Sequence, residues 1–182
     1  MGSNEMKSVT IIGRGPSWKE CPFATEELWG TATCLATEGL KDKNYTKVFA
    51  FDGVNEILTE ALKEAKERNI PVVSTLSYAT ELYPLVPIVR HFQVSYFKTS
   101  ISYMLAYAIY QGYKSIRIDG IDQGPGWLYQ QGKPYITFWL GVATGRGIEY
   151  RMGRDSLKWT YRIGQNGLPE AFILREGIIQ EV

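Results

Sequence analysis

Histidine is nearly missing from this chain: His91 is the only one in 182 residues. A single imidazole excludes clustered histidine metal sites and leaves one side chain for any mechanism that needs a histidine base. Cysteine is almost as scarce. Cys21 and Cys34 are too few for a zinc ribbon, and in a reducing compartment they read as partly buried free thiols, not as a disulfide. Neither sign of charge prevails, with 20 Lys and Arg against 19 Asp and Glu and no block of like charge. The electrostatic footprint of a protein that binds duplex nucleic acid or an anionic membrane surface is therefore absent. Long hydrophobic runs are absent too. Stretches such as Val9-Thr10-Ile11-Ile12 fall far short of the ~20 residues that a membrane helix needs. Residues 1–8 lack the apolar centre of a secretory signal, so the expectation is a cytoplasmic protein. Residues 1–5 read equally as native or as a vector remnant and carry no weight in the fold.

What is present is ordinary globular material, 45% hydrophobic, sized for one domain. Short β-branched runs at 9–12, 47–51, 71–75 and 115–118 alternate with longer segments, the pattern of an α/β domain. Val54, Ile57, Leu58, Ala61, Leu62 and Ala65 recur at three- and four-residue spacing and make one apolar stripe. A second helix starts after Thr99 and Ser100, carries Ile101, Met104, Leu105, Ala108 and Ile109 on one face, and stops at Gly112. The next strand follows within three residues, as in a parallel crossover unit. A further helix is expected over 137–144, closed by Gly145 and Gly147, with a short strand at 148–150. Beyond Arg151 the chain is Arg-rich. Asn166-Gly167 signals a turn, so residues 151–182 read as a hairpin or arm packed on the domain or on a neighbouring subunit. The expected architecture is a Rossmann-like, three-layer α/β domain over 6–150 with a mostly parallel sheet, plus this C-terminal extension.

Four places suit ligand chemistry. Gly13-Arg14-Gly15-Pro16-Ser17 directly follows the first strand. Glycine there permits a sharp turn and lets backbone N–H groups approach a phosphate, with Arg14 as a counter-charge; the alternative is a tight strand-to-helix turn with a solvated arginine. The dinucleotide fingerprint is incomplete, since its third glycine is missing. Thr99-Ser100 either caps its helix or sits beside an anion held by the free N–H groups, and both roles are compatible. Asp52, Asp119 and Asp122 lie at strand ends, where ligands bind in open α/β sheets; each either meets ribose hydroxyls or a metal, or caps the element that follows. Finally, Trp127, Tyr129 and Tyr135 interleave with Gly124, Pro125, Gly126 and Gly132, which reads as an aromatic loop that closes over a ligand or packs on the surface.

The 13–17 loop and the ungapped stretch of 24 residues from Thr99-Ser100 through Tyr103-Met104 and Gly112-Tyr113-Lys114 to Gly120-Ile121-Asp122 resemble the bacterial sialyltransferases that use CMP-sialic acid. They also resemble the archaeal hydroxymethylpterin diphosphokinase-like family. The order of motifs, including Trp18-Lys19, Cys21-Pro22, Trp29-Gly30 and Gly145-Arg146-Gly147-Ile148, looks like short phage-encoded proteins of that superfamily, which would place the chain in a host cytoplasm. The resemblance covers roughly residues 8 to 150. It implies that Gly13, Gly15, Ser17, Thr99, Ser100 and, with a changed side chain, Asp52 hold the nucleotide and phosphate of the ligand; the residues themselves add Arg14 and Asp122 to that border, with Asp122, Tyr129 and Tyr135 as candidates for the reacting region. Three departures stand out. Arg14 replaces the family's loop asparagine, Ile101 replaces the glycine after the Thr-Ser pair, and the histidine base falls near Gly141-Val142-Ala143, where no histidine occurs. His91 matches no family base and reads as structural, the alternative being an acid or base from a neighbouring loop.

The expected function is thus a nucleotide- or nucleotide-sugar-binding, transferase-like protein, with phosphate between the 13–17 loop and the Thr99-Ser100 helix start. One alternative is a non-catalytic nucleotide-binding or assembly module. The other is Mg-dependent, diphosphokinase-like phosphoryl transfer, with Asp52, Asp119 or Asp122 on the metal and Arg14 or Arg146 on phosphate. A homo-oligomer is compatible with the C-terminal arm.

Overall fold

The computed structural model describes residues 7–25, 27–122, 127–153, 159–163, 169–175 and 178–181. Seven parallel strands form the central sheet: β1 (Ser8–Ile12), β2 (Leu28–Thr31), β3 (Lys47–Phe49), β4 (Val72–Ser74), β5 (Glu81–Leu82), β6 (Ser115–Asp119) and β7 (Glu149–Met152). Their order is β5-β4-β3-β2-β1-β6-β7. From β1 the chain therefore steps outward through β2, β3, β4 and β5, then returns to the other side of β1. That reversal places the topological switch point between β1 and β6, and the crevice outside the carboxyl ends of those strands is where ligands bind in such sheets. The expected Rossmann-like α/β fold is the observed one.

The helices that position this crevice follow from caps and apolar spacing. Helix α1 (Glu56–Glu67) is capped by Asn55, whose Oδ1 accepts the Leu58 N–H at 2.9 Å. Its buried stripe is Leu58, Ala61 and Ala65. Val54 and Ile57, expected on that stripe, are 63% and 46% exposed: Val54 precedes the cap, and Ile57 turns to solvent in the first turn. Helix α2 (Leu85–Phe92) carries His91 and was not foreseen as a helix; the residues after it are irregular, not strand-like. Helix α3 (Ser100–Tyr110) starts at the Thr99 cap as expected. It is buried on nearly every side from Ile101 to Ile109, because α2 and α4 flank it on the sheet.

Helix α4 (Trp127–Gly145) corrects the sequence reading. The aromatic segment expected as a loop is its first half, and the expected helix over 137–144 is only its end. Gly132 and Pro134 interrupt the helical signal, yet both lie inside the helix, where proline removes one N–H donor. Gly124, Pro125 and Gly126 lie outside the described residues. No helix among the described residues is long and apolar enough to cross a membrane.

Side-chain alternation along the strands separates two cores. Leu28, Val48 and Val72 face α1 with Leu35 and Leu40, whereas Trp29, Phe49 and Val73 face α2, α3 and α4 with Tyr83, Tyr107 and Trp139. One core is mainly aliphatic and the other is heavily aromatic. In the C-terminal extension β8 (Trp159–Ile163), β9 (Pro169–Arg175) and β10 (Ile178–Glu181) form a separate antiparallel sheet, β10-β9-β8. The anticipated Asn166-Gly167 turn lies outside the described residues.

Candidate functional site

At the switch point the loops that leave β1 and β6 are fastened to each other. The Gly13 N–H donates to the Asp119 carbonyl at 3.0 Å and the Gly15 N–H to the Gly120 carbonyl at 2.8 Å. The Ser17 N–H donates to Asp122 Oδ2 at 3.0 Å, and the Gly120 N–H returns a bond to Ser17 Oγ at 3.1 Å. Glycine is required by this approach. A Cβ on Gly13 would lie 2.5 Å from the Gly120 carbonyl oxygen, one on Gly15 would run into the Asp122 carboxylate, and one on Gly120 would run into the Gly13 carbonyl. Gly120 also adopts φ +68°, the left-handed region that costs other residues free energy. The N–H groups of Gly13, Gly15 and Ser17 thus point into the protein. Arg14 remains exposed at the rim.

The three strand-end aspartates have distinct surroundings. Asp122 is 7% exposed; one carboxylate oxygen accepts from Ser17, and the other, Oδ1, is buried with no hydrogen-bond partner among the described residues. A buried polar atom left unpaired costs about 1–3 kcal/mol, and it stands here beside the crevice that the topology marks for a ligand. Asp119, three residues earlier, is fully buried and has both oxygens committed to Arg117, at 2.6 and 3.1 Å from Nε and Nη2. Cys21 lies near this pair; its thiol is pushed up by burial first, and by Asp119 beside it. Asp52 is exposed beyond β3, and its carbonyl accepts the Tyr78 hydroxyl at 2.9 Å. It caps nothing, since Asn55 caps α1. Among the described residues no three His, Cys, Asp or Glu side chains gather as a metal site. With Asp119 consumed by Arg117 and Asp52 alone on another strand, these residues do not fit a magnesium centre.

Helix α3 leads back to the start of β6, so its N-terminus lies at the carboxyl edge, with the switch point. Thr99 caps it: Oγ1 accepts the Ser102 N–H at 3.4 Å, and Ser102 Oγ accepts the Thr99 N–H at 3.3 Å. That reciprocal pair uses the threonine hydroxyl as a cap and leaves Ser100 half-buried. The N–H groups of Ser100 and Ile101, in the first turn, have no acceptor within the helix.

Aromatic rings join this helix start to its neighbours. Phe51 stacks on Tyr103 at 4.0 Å, Tyr103 on Phe97 at 4.6 Å, and Phe97 on Trp139 at 5.2 Å. Tyr135 stacks on Tyr96 at 4.1 Å, which ties α4 to the segment preceding Thr99. The side chains of Trp127 and Tyr129 lie outside the described residues. Sequence reasoning missed the Phe51, Phe97 and Tyr103 stack, whose members come from three separate elements. It also missed Thr31 at the carboxyl end of β2, beside β1, where Oγ1 lies 3.3 Å from Cys34 Sγ.

His91 lies elsewhere. It contacts Tyr110, the last residue of α3, at 5.4 Å between ring centroids, and its Nε2 is 3.0 Å from Arg146 Nη1, beyond the end of α4. Both helices end at the amino edge of the sheet, opposite the switch point. The one histidine is therefore remote from Asp122, in keeping with the structural reading.

Neither the family models nor the curated proteins compared with this sequence match it. The fold does match solved structures of the sialyltransferase CstII from Campylobacter jejuni. The complex with CMP-3FNeuAc superposes with a TM-score of 0.62 at 19% identity, covering 97% of this chain and 91% of that one. The complex with the substrate analogue cytidine-5'-monophosphate gives 0.53 at 20% identity, over 84% of this chain and 82% of that one.

Proposed function

We propose that this protein binds a nucleotide or nucleotide-sugar, as a transferase-like domain, in the crevice between the carboxyl ends of β1 and β6. The observation that carries this reading is Asp122 Oδ1, a buried acceptor without a donor among the described residues, at the topological switch point. A ribose or sugar hydroxyl supplies the missing donor. A phosphate does not, because a carboxylate repels it. The ligand is therefore oriented, with its hydroxyl-bearing end toward Asp122. Its phosphate faces the Ser100 and Ile101 N–H groups, with Arg14 as the nearby cation on the 13–17 loop. Asp52 and Tyr135 border the ligand. The fold shared with CstII, solved with CMP and with CMP-3FNeuAc, supports a cytidine nucleotide as the first candidate.

A second reading, a binding module without transfer chemistry, is favoured by one observation. The only imidazole lies at the opposite edge of the sheet, so no histidine is placed to accept a proton from an acceptor hydroxyl. Magnesium-dependent phosphoryl transfer is disfavoured by the Arg117–Asp119 pairing. Melting curves with CMP, UMP, AMP and GDP test the site: at least one should raise the melting temperature, and no shift with any of them refutes the reading. Turnover of a CMP-sugar by a chain that binds CMP would decide for the transferase, and binding without turnover for the module.

A further inference from the structure

The 13–17 loop has the glycines of a phosphate cradle but directs them differently. Three of its N–H groups donate into the β6 loop, and the hydroxyl of Ser17, 4% exposed, accepts the Gly120 N–H. Ser17 therefore grips the β6 loop twice, at Gly120 through its side chain and at Asp122 Oδ2 through its backbone. These contacts span 103 and 105 residues of sequence, so nothing local to either loop replaces them. With Oδ2 held, rotation of the Asp122 carboxyl group is restricted and Oδ1 has one direction in which to receive a donor. Gly15 completes the arrangement, because any Cβ there would displace that carboxylate.

We propose that Ser17 is a positioning residue: it aims Asp122 at the ligand and does not itself touch the ligand, the glycines beside it serving the same alignment. This rests on the nucleotide reading given above. It is separable from that reading by a double-mutant cycle on Ser17→Ala and Asp122→Asn, with CMP as the probe in titration calorimetry and melting temperature recorded for each variant. Asp122→Asn alone should weaken CMP about tenfold or more. Ser17→Ala keeps the N–H that holds Oδ2 and removes the hydroxyl that anchors Gly120; by loosening the β6 loop it should weaken CMP several-fold in the wild-type background but leave it within about twofold in the Asp122→Asn background, while lowering the melting temperature in both. A merely structural serine would shift melting and leave affinity alone. A serine that contacts the ligand would give additive losses. Either result overturns the positioning role while the site stands. If Asp122→Asn folds and binds CMP like wild type, or if the wild-type chain binds none of CMP, UMP, AMP and GDP, the site reading and the positioning role fall together; a wild type that binds another of these nucleotides but not CMP takes that nucleotide as the probe. Should Ser17→Ala not fold, Gly15→Ala replaces it in the cycle. It retains the hydroxyl and pushes on the carboxylate, so the same non-additive loss is expected, and an additive one refutes the alignment.

Discussion

At the carboxyl edge of the sheet an aspartate is buried with one oxygen pinned and the other unpaired; at the amino edge the only histidine is exposed against an arginine and two aromatic rings. By residue type the histidine is the more reactive candidate, and by environment it is the weaker one. Exposed groups exchange their partners for water at little cost, whereas an unpaired atom inside the protein persists only if something offsets it. The glycines sharpen the contrast. Gly120 and Gly112 both have positive φ, +68° and +78°, but a Cβ meets the Gly13 backbone at the first and nothing within 4 Å at the second. Gly120→Ala should therefore cost about 3 kcal/mol or more, from left-handed strain plus overpacking, and Gly112→Ala only about 1 kcal/mol. Urea unfolding of the two variants measures this, and equal costs would show that the loops are not locked together.

Asp119, which ends β6, and Asp122, in the loop after it, give the next largest effect. Asp119→Ala leaves Arg117, a third exposed, without its partner in a buried setting. A loss of about 2 kcal/mol is expected, between the values for exposed and fully buried pairs, while the folded variant binds CMP as wild type does. Asp122→Asn should do the reverse, sparing stability and weakening CMP. If both substitutions acted alike, the distinction between a carboxylate committed to Arg117 and one at the switch point would collapse.

Much of this fold was legible because its signals are local. Thr99 followed by apolar residues at helical spacing marks α3 within one turn, and β-branched runs mark β1 and β6. The misses have tertiary causes. Leu28 to Thr31 contains Gly30, a poor strand residue, kept because the Tyr45 ring fills the space of its Cβ, which would lie 2.6 Å from Cε1. The start of α4 was hidden by Gly132 and Pro134, which propensity assigns to loops although both lie inside the helix, Gly132 buried and Pro134 exposed. In the site, the glycine loop was recognisable as a ligand neighbourhood, but its partner lies over 100 residues away. No pattern within residues 13–17 says whether the N–H groups face a phosphate or another loop.

Between the two edges lie the two cores, and alkali probes the buried tyrosines of both. Burial pushes the hydroxyls of Tyr107 and Tyr113 up to about 12, helped by Glu81 at Tyr107, and pushes those of Tyr45 and Tyr83 higher still. In the unfolded chain tyrosine ionises near 10. The unfolded state therefore loses its tyrosine protons first, so the tyrosine contribution is fully present below about pH 10 and falls as pH rises from there toward 12; the buried thiols of Cys21 and Cys34, also pushed up by burial, add a loss that begins near the ordinary cysteine value of about 8.5. Melting temperature should be flat near neutrality and drop in that window, together with a late, cooperative tyrosinate absorbance. A limiting drop that is complete below about pH 9 would assign the alkaline limit to the thiols or another group and not to these tyrosines.

The smallest expected effect is at His91. Its ring packs on Phe92 and Tyr110 and meets Arg146, whose guanidinium also lies 4.6 Å from the Phe92 ring centroid. Phe92 and Tyr110 keep packing α2 on α3 after the imidazole is removed, and Arg146 keeps its place over Phe92. His91→Ala should thus change stability by no more than about 0.5 kcal/mol, as surface substitutions do, and leave CMP affinity and any CMP-sugar turnover unchanged. Loss of turnover with binding intact would place His91 in the chemistry and require the two edges to communicate. If the chain turns over a CMP-sugar, a null result leaves proton acceptance to a group other than its one histidine.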